Sequence, residues 1–224
     1  SNKAVMTDAN RIFNYIEHYK TGTHFLKACT TLLPSPNFAR KEIIKMIRTE
    51  TKNVQRGLPG VICAKMNSLS DEEIIDELYT AAKAGVDVNL IVRGIFCMLS
   101  EDPKFVKPVK AVSVIDEYLE HARVWIFHNN GKEKMYISSA DWMVRNLDHR
   151  VEASCPILDP EIRKELKDII TIQLKDNVKA RVLNNELSNG YVEEKAGSEK
   201  VRSQNETYYY LQNKIEQHLE ISSH

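Results

Sequence analysis

The chain has 224 residues, which is enough for one main hydrophobic core with a helical appendage. Lysine and arginine together number 31, as do aspartate and glutamate, so the formal net charge is zero. The net charge therefore produces no electrostatic attraction to nucleic acid or to a membrane surface, and any anion-binding site must be local. The four cysteines show no C-x-x-C spacing, which predicts reduced thiols in the core rather than a metal site.

The sequence also bears on the cellular compartment. No stretch is long and apolar enough to span a bilayer. The N-terminus lacks the charged and apolar regions of a signal peptide. We therefore expect a soluble cytoplasmic protein.

The first 57 residues predict helices. Asp8 is a plausible N-cap for a helix with an apolar side that ends near Gly22. Residues 23–37 are mixed and contain two prolines, and residues 39–56 predict a second helix that Gly57 closes. The apolar faces of these helices need a partner.

From residue 61 the pattern changes to alternating strands and helices. Residues 61–66 and 86–92 predict strands, and residues 71–84 predict a capped helix between them. Further elements are predicted as follows: strands at 110–115 and 150–155, helices at 160–174 and 207–219, and a surface loop at 186–206. This alternation predicts an α/β fold around one mixed sheet. Two tryptophans and the tyrosines at 208–210 are predicted to be packing residues.

A hairpin is predicted at residues 120–142. Alternating apolar residues mark its two strands, and the sequence NNG at 129–131 is a strong turn signal. His121 and Arg123 are two apart on the first strand and should share a face, while Ser139 and Asp141 lie at the end of the second. An imidazole, a guanidinium and a hydroxyl are therefore expected to converge.

Arg93 stands at the C-terminal end of a predicted strand, where open α/β sheets place their ligands. Four further cations near predicted strand ends suggest a shared anionic ligand: Lys65, Arg123, Arg145 and Arg150. Guanidinium groups match phosphate geometry two bonds at a time, so phosphate is the ligand that this set favours. Each cation could equally be a solvated charge, and His121 taken alone is more often a packed or solvated histidine. Ser139 and Asp141 could bind the phosphate directly, or they could equally be turn or cap residues of a short helix at 142–147.

The hairpin resembles the His-x-Lys motif of the phospholipase D superfamily. Arg123 stands in the place of the lysine, and residues 139–141 stand in the place of the Gly-Ser-x-Asn segment. Two departures are evident: His128 stands where that motif has an acid, and the serine segment comes a few residues later than usual.

A broader resemblance runs along nearly the whole chain. The blocks MNSL at 66–69, LIVRG at 90–94, YLEH at 118–121, SSADWMVRNLDHR at 138–150 and DNVKAR at 176–181 resemble the C-terminal domain of bacterial polyphosphate kinase. The resemblance implies a phospholipase-D-like mixed sheet flanked by helices. It assigns residues 1–57 to a helical tail of the preceding catalytic domain, 58–184 to the C-terminal domain, and 185–224 to a loop and terminal helix of that domain.

The resemblance also implies a reaction. Polyphosphate kinases reversibly transfer the ATP γ-phosphate to inorganic polyphosphate through a phosphohistidine. It assigns nucleotide-phosphate binding to Arg93, and phosphate binding with a candidate role in proton transfer to His121. Lys65, Arg123, Arg145 and Arg150 would extend the electropositive lining.

The nucleophilic histidine and the Mg²⁺ site of the family lie in the preceding domain. No Lys-x-His-Ala-Lys block occurs in this chain, so alone it is expected to be inactive. ATP, ADP and polyphosphate are the expected partners, with no nucleic acid. The full-length parent is expected to be a homo-oligomer, and whether it associates with membranes stays open.

Two other functions stay open. A phospholipase-D-like phosphodiesterase or nuclease would use His121 as its nucleophile, but it predicts a lysine at 123 and an acid near 128. A non-catalytic polyanion-binding module would hold its ligand by charge alone, and salt would weaken its binding steeply.

Overall fold

The computed structural model describes residues 2–193 and 197–222, apart from the side chains of residues 218 and 220–222. Six α-helices lie within these residues: α1 (Lys3–Glu17), α2 (Thr23–Lys27), α3 (Ala39–Gln55), α4 (Glu72–Ala84), α5 (Pro160–Leu174) and α6 (Ser203–Ser222). Eight strands accompany them: β1 (Leu33–Ser35), β2 (Val61–Met66), β3 (Asp87–Val92), β4 (Lys110–Val114), β5 (Val124–Phe127), β6 (Lys134–Ser138), β7 (Glu152–Pro156) and β8 (Ala180–Val182).

All eight strands form one sheet, in the order β1-β7-β6-β5-β2-β3-β4-β8. β2, β3 and β4 are parallel to one another, and the other neighbouring pairs are antiparallel. Helices α3 and α4 cover one face of the sheet, and α5 covers the other. The predicted mixed sheet flanked by helices is confirmed.

The register of the central strands brings many strand ends to one edge. Met66 pairs with Val92, and Lys65 pairs with Val124, which in turn pairs with Ile137. At this edge β2, β3, β4 and β6 end, and β5 and β7 begin. We call it the carboxyl edge, because open α/β sheets place their ligands where parallel strands end.

The hydrophobic core is divided by the sheet into two layers. Trp125 and Phe127 of β5 face the layer under α3 and α4, whereas Val124 and Ile126 face the layer under α5. All four residues are less than 8% exposed, so β5 is buried on both faces. A third, smaller cluster packs α1 and α2 against β7.

Several predicted elements are confirmed with their boundaries. β2 and α5 span the predicted residues, and α3 ends before Gly57, whose φ of +75° suits a residue without a side chain. Helix α4 is capped by Asp71, whose carboxylate accepts the backbone N–H of Ile74 at 3.2 Å.

The predicted role of Asp8 as an N-cap is wrong. Helix α1 begins at Lys3 with Asn2 as its cap, and it ends at Glu17 rather than near Gly22. Asp8 is fully buried within the helix and accepts backbone N–H bonds from residues 30–32 at 2.6 to 3.0 Å. Burial alone would raise the pKa of this carboxyl, but these bonds and Arg11 hold it below its ordinary value. Asp8 therefore fixes the loop before β1.

Other predictions need correction at element boundaries. The first hairpin strand begins at Val124, so His121 and Arg123 precede it instead of sharing a strand face. The helix expected at 142–147 is a π-helical turn at Arg145–His149. The short edge strands β1 and β8 were not predicted, and α6 begins at Ser203, inside the predicted loop at 186–206. Residues 194–196 of that loop lie outside the described residues.

Side-chain burial agrees with some predictions and not with others. Trp125 and Trp142 are fully buried, as predicted, but Tyr208 and Tyr209 are exposed. The four cysteines are free thiols. Cys29, Cys63 and Cys155 are half-buried and pack against core clusters, whereas Cys97 is exposed, so the predicted core position is wrong for Cys97. None of the described helices is long and apolar enough to cross a membrane.

Gly60 lies where α3 passes close to the start of β2. A Cβ there would lie 2.5 Å from Val54 Cγ2 and 2.8 Å from the backbone oxygen of Glu50. We expect Gly60→Ala to lower the free energy of unfolding by about 2 to 3 kcal/mol, because the helix must move away from the strand. Urea unfolding measures the change.

Gly57→Ala is the matched control. Nothing lies within 4 Å of a Cβ at Gly57, and only its positive φ opposes a side chain. Its expected cost is about 1 kcal/mol. Equal effects of the two substitutions would contradict the steric argument at Gly60.

Candidate phosphate-binding site

The carboxyl edge brings together side chains from four separate loops. Asn67 follows β2, Arg93 follows β3, His121 and Arg123 precede β5, and Asp141 follows β6. The imidazole of His121 and the guanidinium of Arg123 meet as predicted, although they come from a loop rather than from one strand face. Asp141 joins them, whereas the predicted hydroxyl of Ser139 does not.

Asp141 lies at the centre of this group and is buried. Its Oδ1 accepts the backbone N–H groups of Asn67 at 2.8 Å and Ser68 at 3.2 Å, the Asn67 side-chain amide at 3.3 Å and Arg123 Nε at 2.9 Å. Its Oδ2 accepts Arg123 Nη2 at 3.1 Å. Burial would raise the pKa of Asp141, but the bonds from Arg123, Asn67 and Ser68 outweigh it and lower the pKa. The carboxylate is therefore ionised and bound on both oxygens.

Arg123 connects this carboxylate to His121. Its Nη1 lies 3.3 Å from His121 Nδ1 and 3.3 Å from the backbone oxygen of His121. The Arg123 side chain is largely covered, whereas His121 is exposed. The imidazole is thus presented to solvent while the guanidinium behind it is held in place.

Arg93 is attached to the same group by one bond. Its Nε donates to Asn67 Oδ1 at 3.1 Å, and among the described residues this is the only side-chain hydrogen bond that it makes. Its two Nη groups therefore keep their donors for a ligand. The backbone N–H of Gly94 donates to the Asn67 carbonyl at 2.8 Å, and a Cβ on Gly94 would lie 3.0 Å from that oxygen, so the turn after Arg93 is tightly packed.

Lys65 lies in a separate buried network beside this group. Its Nζ forms an ion pair with Glu120 and donates to Gln173 Oε1 at 2.8 Å. Gln173 and Gln204 also donate to the Glu120 carboxylate, at 2.6 and 3.2 Å. Burial lowers the pKa of Lys65, and Glu120 opposes that shift. Lys65 was predicted to bind phosphate, but its positive charge is compensated within the protein by Glu120.

Gln204 fixes the loop before His121 as well. Its Oε1 accepts the backbone N–H of Tyr118 at 3.0 Å, and its Nε2 donates to the Tyr118 carbonyl at 2.8 Å. Gln204 lies in the first turn of α6. The terminal helix therefore holds the loop that carries His121.

The remaining predicted residues lie further along the edge, near β7. The Ser139 hydroxyl bonds to Glu152 and accepts the backbone N–H of Ala153 at 3.2 Å. Arg145 and Arg150 are exposed, and neither forms an ion pair within the described part of the chain. The structure brings none of these three into contact with His121 or Arg93.

Four participants were not predicted as site residues: Asn67, Glu120, Gln173 and Gln204. Asn67 directly follows a buried strand at the carboxyl edge, and this position could have identified it. A lysine within the apolar run of β2 likewise predicts a buried acidic partner. Nothing in the local sequence indicated Gln173 or Gln204.

Metal ligands are a separate question. Across residues 2–193 and 197–222, no group of three or more histidine, cysteine, aspartate or glutamate side chains could hold a metal ion. The Mg²⁺ site that the resemblance implies belongs to another domain and stays a prediction.

The fold is that of the phospholipase D family. The chain superposes on Nuc, a phospholipase D family member from Salmonella typhimurium, with a TM-score of 0.50 and 15% identity over 69% of this chain and 97% of that one. The model of the family described as polyphosphate kinase C-terminal domain 2 matches residues 32–204. The chain belongs to this family.

Individual relatives agree with the family match. The polyphosphate kinase of Escherichia coli strain K12 is 41% identical over 207 residues, which are 92% of this chain and 29% of that protein. The Bacillus anthracis polyphosphate kinase is 42% identical over 91% of this chain and 28% of its own length. The crystal structure of polyphosphate kinase from Porphyromonas gingivalis matches with a TM-score of 0.89 and 40% identity, covering 96% of this chain and 32% of that one. The chain thus spans under a third of these relatives.

Removing the central carboxylate should destabilise the fold. We expect Asp141→Ala to lower the free energy of unfolding at pH 7 by about 3 kcal/mol, because Arg123 is left buried without its counter-charge. The lowered pKa of Asp141 contributes stability above its unfolded value of about 3.9, and this is lost as the pH falls through the folded pKa. The difference from wild type should therefore shrink below about pH 4.

Denaturant unfolding at several pH values measures this. Asp76→Asn is the control, because Asp76 is an exposed aspartate of α4 away from the site. A difference at Asp141 that persists unchanged at low pH would contradict the role of its charge.

Proposed function

We propose that the chain is part of an ATP:polyphosphate phosphotransferase, in which it supplies one phosphate-binding wall of the active site. The whole enzyme would reversibly transfer the ATP γ-phosphate to inorganic polyphosphate through a phosphohistidine. The observation that carries this proposal is the pair formed by the unpaired end of Arg93 and the exposed ring of His121, both anchored to Asp141. Family membership and the names of the relatives support it.

The site suits the demands of phosphoryl transfer. The transition state spreads negative charge over the equatorial phosphate oxygens, and donors fixed in advance stabilise it best. The free Nη groups of Arg93 can bind two such oxygens, and His121 can donate from its ring or move a proton there. Arg145 and Arg150 would extend the positive surface along the edge towards a longer polyphosphate. Lys65 would contribute less, because Glu120 compensates its charge.

The remainder of the enzyme is proposed to complete the site. The nucleophilic histidine and the Mg²⁺ site would come from a preceding domain, of which residues 1–57 would be the tail. Helix α3 packs in the same core as the sheet, so this segment is held firmly by the present domain. ATP and ADP are the proposed nucleotides, the cytoplasm is the proposed location, and the whole enzyme is proposed to be a homo-oligomer.

The phospholipase-D-like fold gives the phosphodiesterase alternative some support. In that reading His121 is the nucleophile and residue 123 binds phosphate. Arg123 instead donates its hydrogen bonds to Asp141 and His121, so few of its N–H groups remain for a phosphodiester. The phosphotransferase proposal therefore fits the side chains better.

Binding of ATP and of medium-length polyphosphate by calorimetry tests the proposal. Arg93→Ala and His121→Ala should each weaken binding by about 10 to 100-fold, since a hydrogen bond to a charged group contributes about 1.5 to 3 kcal/mol. Arg48→Ala is the matched control, because Arg48 is an exposed arginine of α3 that pairs with Glu77. Binding that is indifferent to both edge substitutions would place the site elsewhere.

Activity assays on the same protein separate the alternatives. We expect no phosphoryl transfer by the chain alone, because the nucleophilic histidine is proposed to lie in another domain. Transfer without any added domain would contradict that assignment, and hydrolysis of a phosphodiester would favour the phospholipase-D-like reading. Binding that salt weakens steeply and that no single substitution alters would favour a polyanion-binding module.

A further inference from the structure

The contact between Arg123 and His121 determines which ring nitrogen carries the proton. A guanidinium has five N–H donors and no acceptor. Its Nη1 lies 3.3 Å from His121 Nδ1, so Nδ1 must accept this bond. The proton of the neutral ring then lies on Nε2, the nitrogen on the far side of the ring from Arg123.

Asp141 fixes the guanidinium that makes this contact. Arg123 donates to both carboxylate oxygens, through Nε at 2.9 Å and Nη2 at 3.1 Å, and this two-bond pairing sets the plane of the group. The third nitrogen, Nη1, is thereby directed at the His121 ring and at its backbone oxygen. A lysine in this position could not make all these bonds at once.

The same carboxylate controls Arg93 through Asn67. The Asn67 side chain donates to Asp141 Oδ1 at 3.3 Å and accepts from Arg93 Nε at 3.1 Å. Because the donor end of the amide is held by Asp141, its oxygen is turned towards Arg93. The bond to Nε limits the orientations of the Arg93 guanidinium, and its two Nη groups keep their donors for a ligand.

We propose that Asp141 is a positioning residue that holds His121 in the tautomer protonated on Nε2, through Arg123, and fixes the direction of the Arg93 guanidinium, through Asn67. The functional value of this positioning rests on the proposed function, because two oriented donors suit the oxygens of a phosphate. Asp141 itself is anionic and has both oxygens bound, so it serves the site by orienting other groups instead of touching the ligand.

Nitrogen-15 NMR of the histidine rings, without ligand, tests the tautomer. The spectra are recorded well above the ordinary histidine pKa of about 6.5, so that the rings are neutral. His121 should show a fully protonated Nε2 and an unprotonated Nδ1. The ring of His149 makes no hydrogen bond within the described part of the chain and gives the reference for an unrestrained ring.

Two substitutions break the connection to His121 in different ways. Asp141→Asn retains one oxygen for the three N–H groups of Asn67 and Ser68 but places an NH₂ group against Arg123. Arg123→Lys retains the positive charge but loses the two-bond pairing. In both variants the His121 nitrogens should shift towards the tautomer mixture of His149, and ATP affinity should fall about tenfold or more. Arg123→Lys leaves the Asp141 carboxylate in place, so it tests the tautomer even where Asp141→Asn disturbs folding.

Asn67→Ala separates the two connections. It should leave the His121 tautomer unchanged, while the Arg93 Nε proton exchanges faster with solvent and ATP affinity falls. Asp168→Asn, on α5, is the control for an aspartate-to-asparagine change and should alter neither signal.

The outcomes distinguish this inference from the proposed function. Wild-type His121 with the tautomer mixture of His149, or unchanged His121 signals in both Asp141→Asn and Arg123→Lys, would overturn the positioning role even if ATP binds. The expected tautomer changes in a protein that does not bind ATP would support the positioning role and contradict the proposed function alone.

Discussion

The antiparallel pairing of β5 with β2 is the constraint on which the site depends. Lys65 pairs with Val124, so the residues just before β5 lie beside the residues just after β2 and β3. A parallel β5 would carry His121 to the opposite edge. Because β5 is buried on both faces, a one-residue slip would exchange Trp125 and Phe127 with Val124 and Ile126, and neither core layer would tolerate that change in volume. The packing of the sheet therefore places the loops that carry His121 and Arg93 at the same edge.

Within this frame, the buried cations Lys65 and Arg123 are compensated by carboxylates, and Arg93 is not. Asp141 neutralises Arg123, and Glu120 neutralises Lys65, each inside a network of further hydrogen bonds. Among the described residues, the Arg93 side chain bonds only to the neutral amide of Asn67, so its charge stays available. A protein with zero net charge can thus present a local positive charge at one edge, because only some of its cations are paired with a carboxylate.

The sequence alone predicted those elements whose structure is determined by local signals. The apolar run of β2 and the N-cap Asp71 of α4 predicted those elements correctly. The prediction that Asp8 caps a helix was wrong because its partners are backbone N–H groups more than twenty residues away. An aspartate that could cap a helix can equally bind a distant loop. The edge strands β1 and β8 are three residues long, too short to show a period of two.

The arrangement of the site was also predictable only where residues close in sequence determine it. The spacing of His121 and Arg123 indicated their proximity, although the strand expected to carry them begins only at Val124. The roles that the resemblance implies for them stay predictions. The partners that fix them come from distant segments: Gln173 lies on α5 and Gln204 on α6, and each meets Glu120 only after the chain has folded. No periodicity within either helix marks such a contact. Long-range hydrogen bonding is thus the part of the site that one sequence does not reveal.

The bonds between Gln204 and Tyr118 give the terminal helix a mechanical connection to the loop before His121. A movement of the first turn of α6 by the length of one hydrogen bond would be transmitted to Glu120 and to the histidine beside it. The region matched by the family model begins just before β1 and ends at residue 204. The shared unit is therefore bounded at one end by an edge strand of the sheet and at the other by the glutamine that couples the last helix to the site.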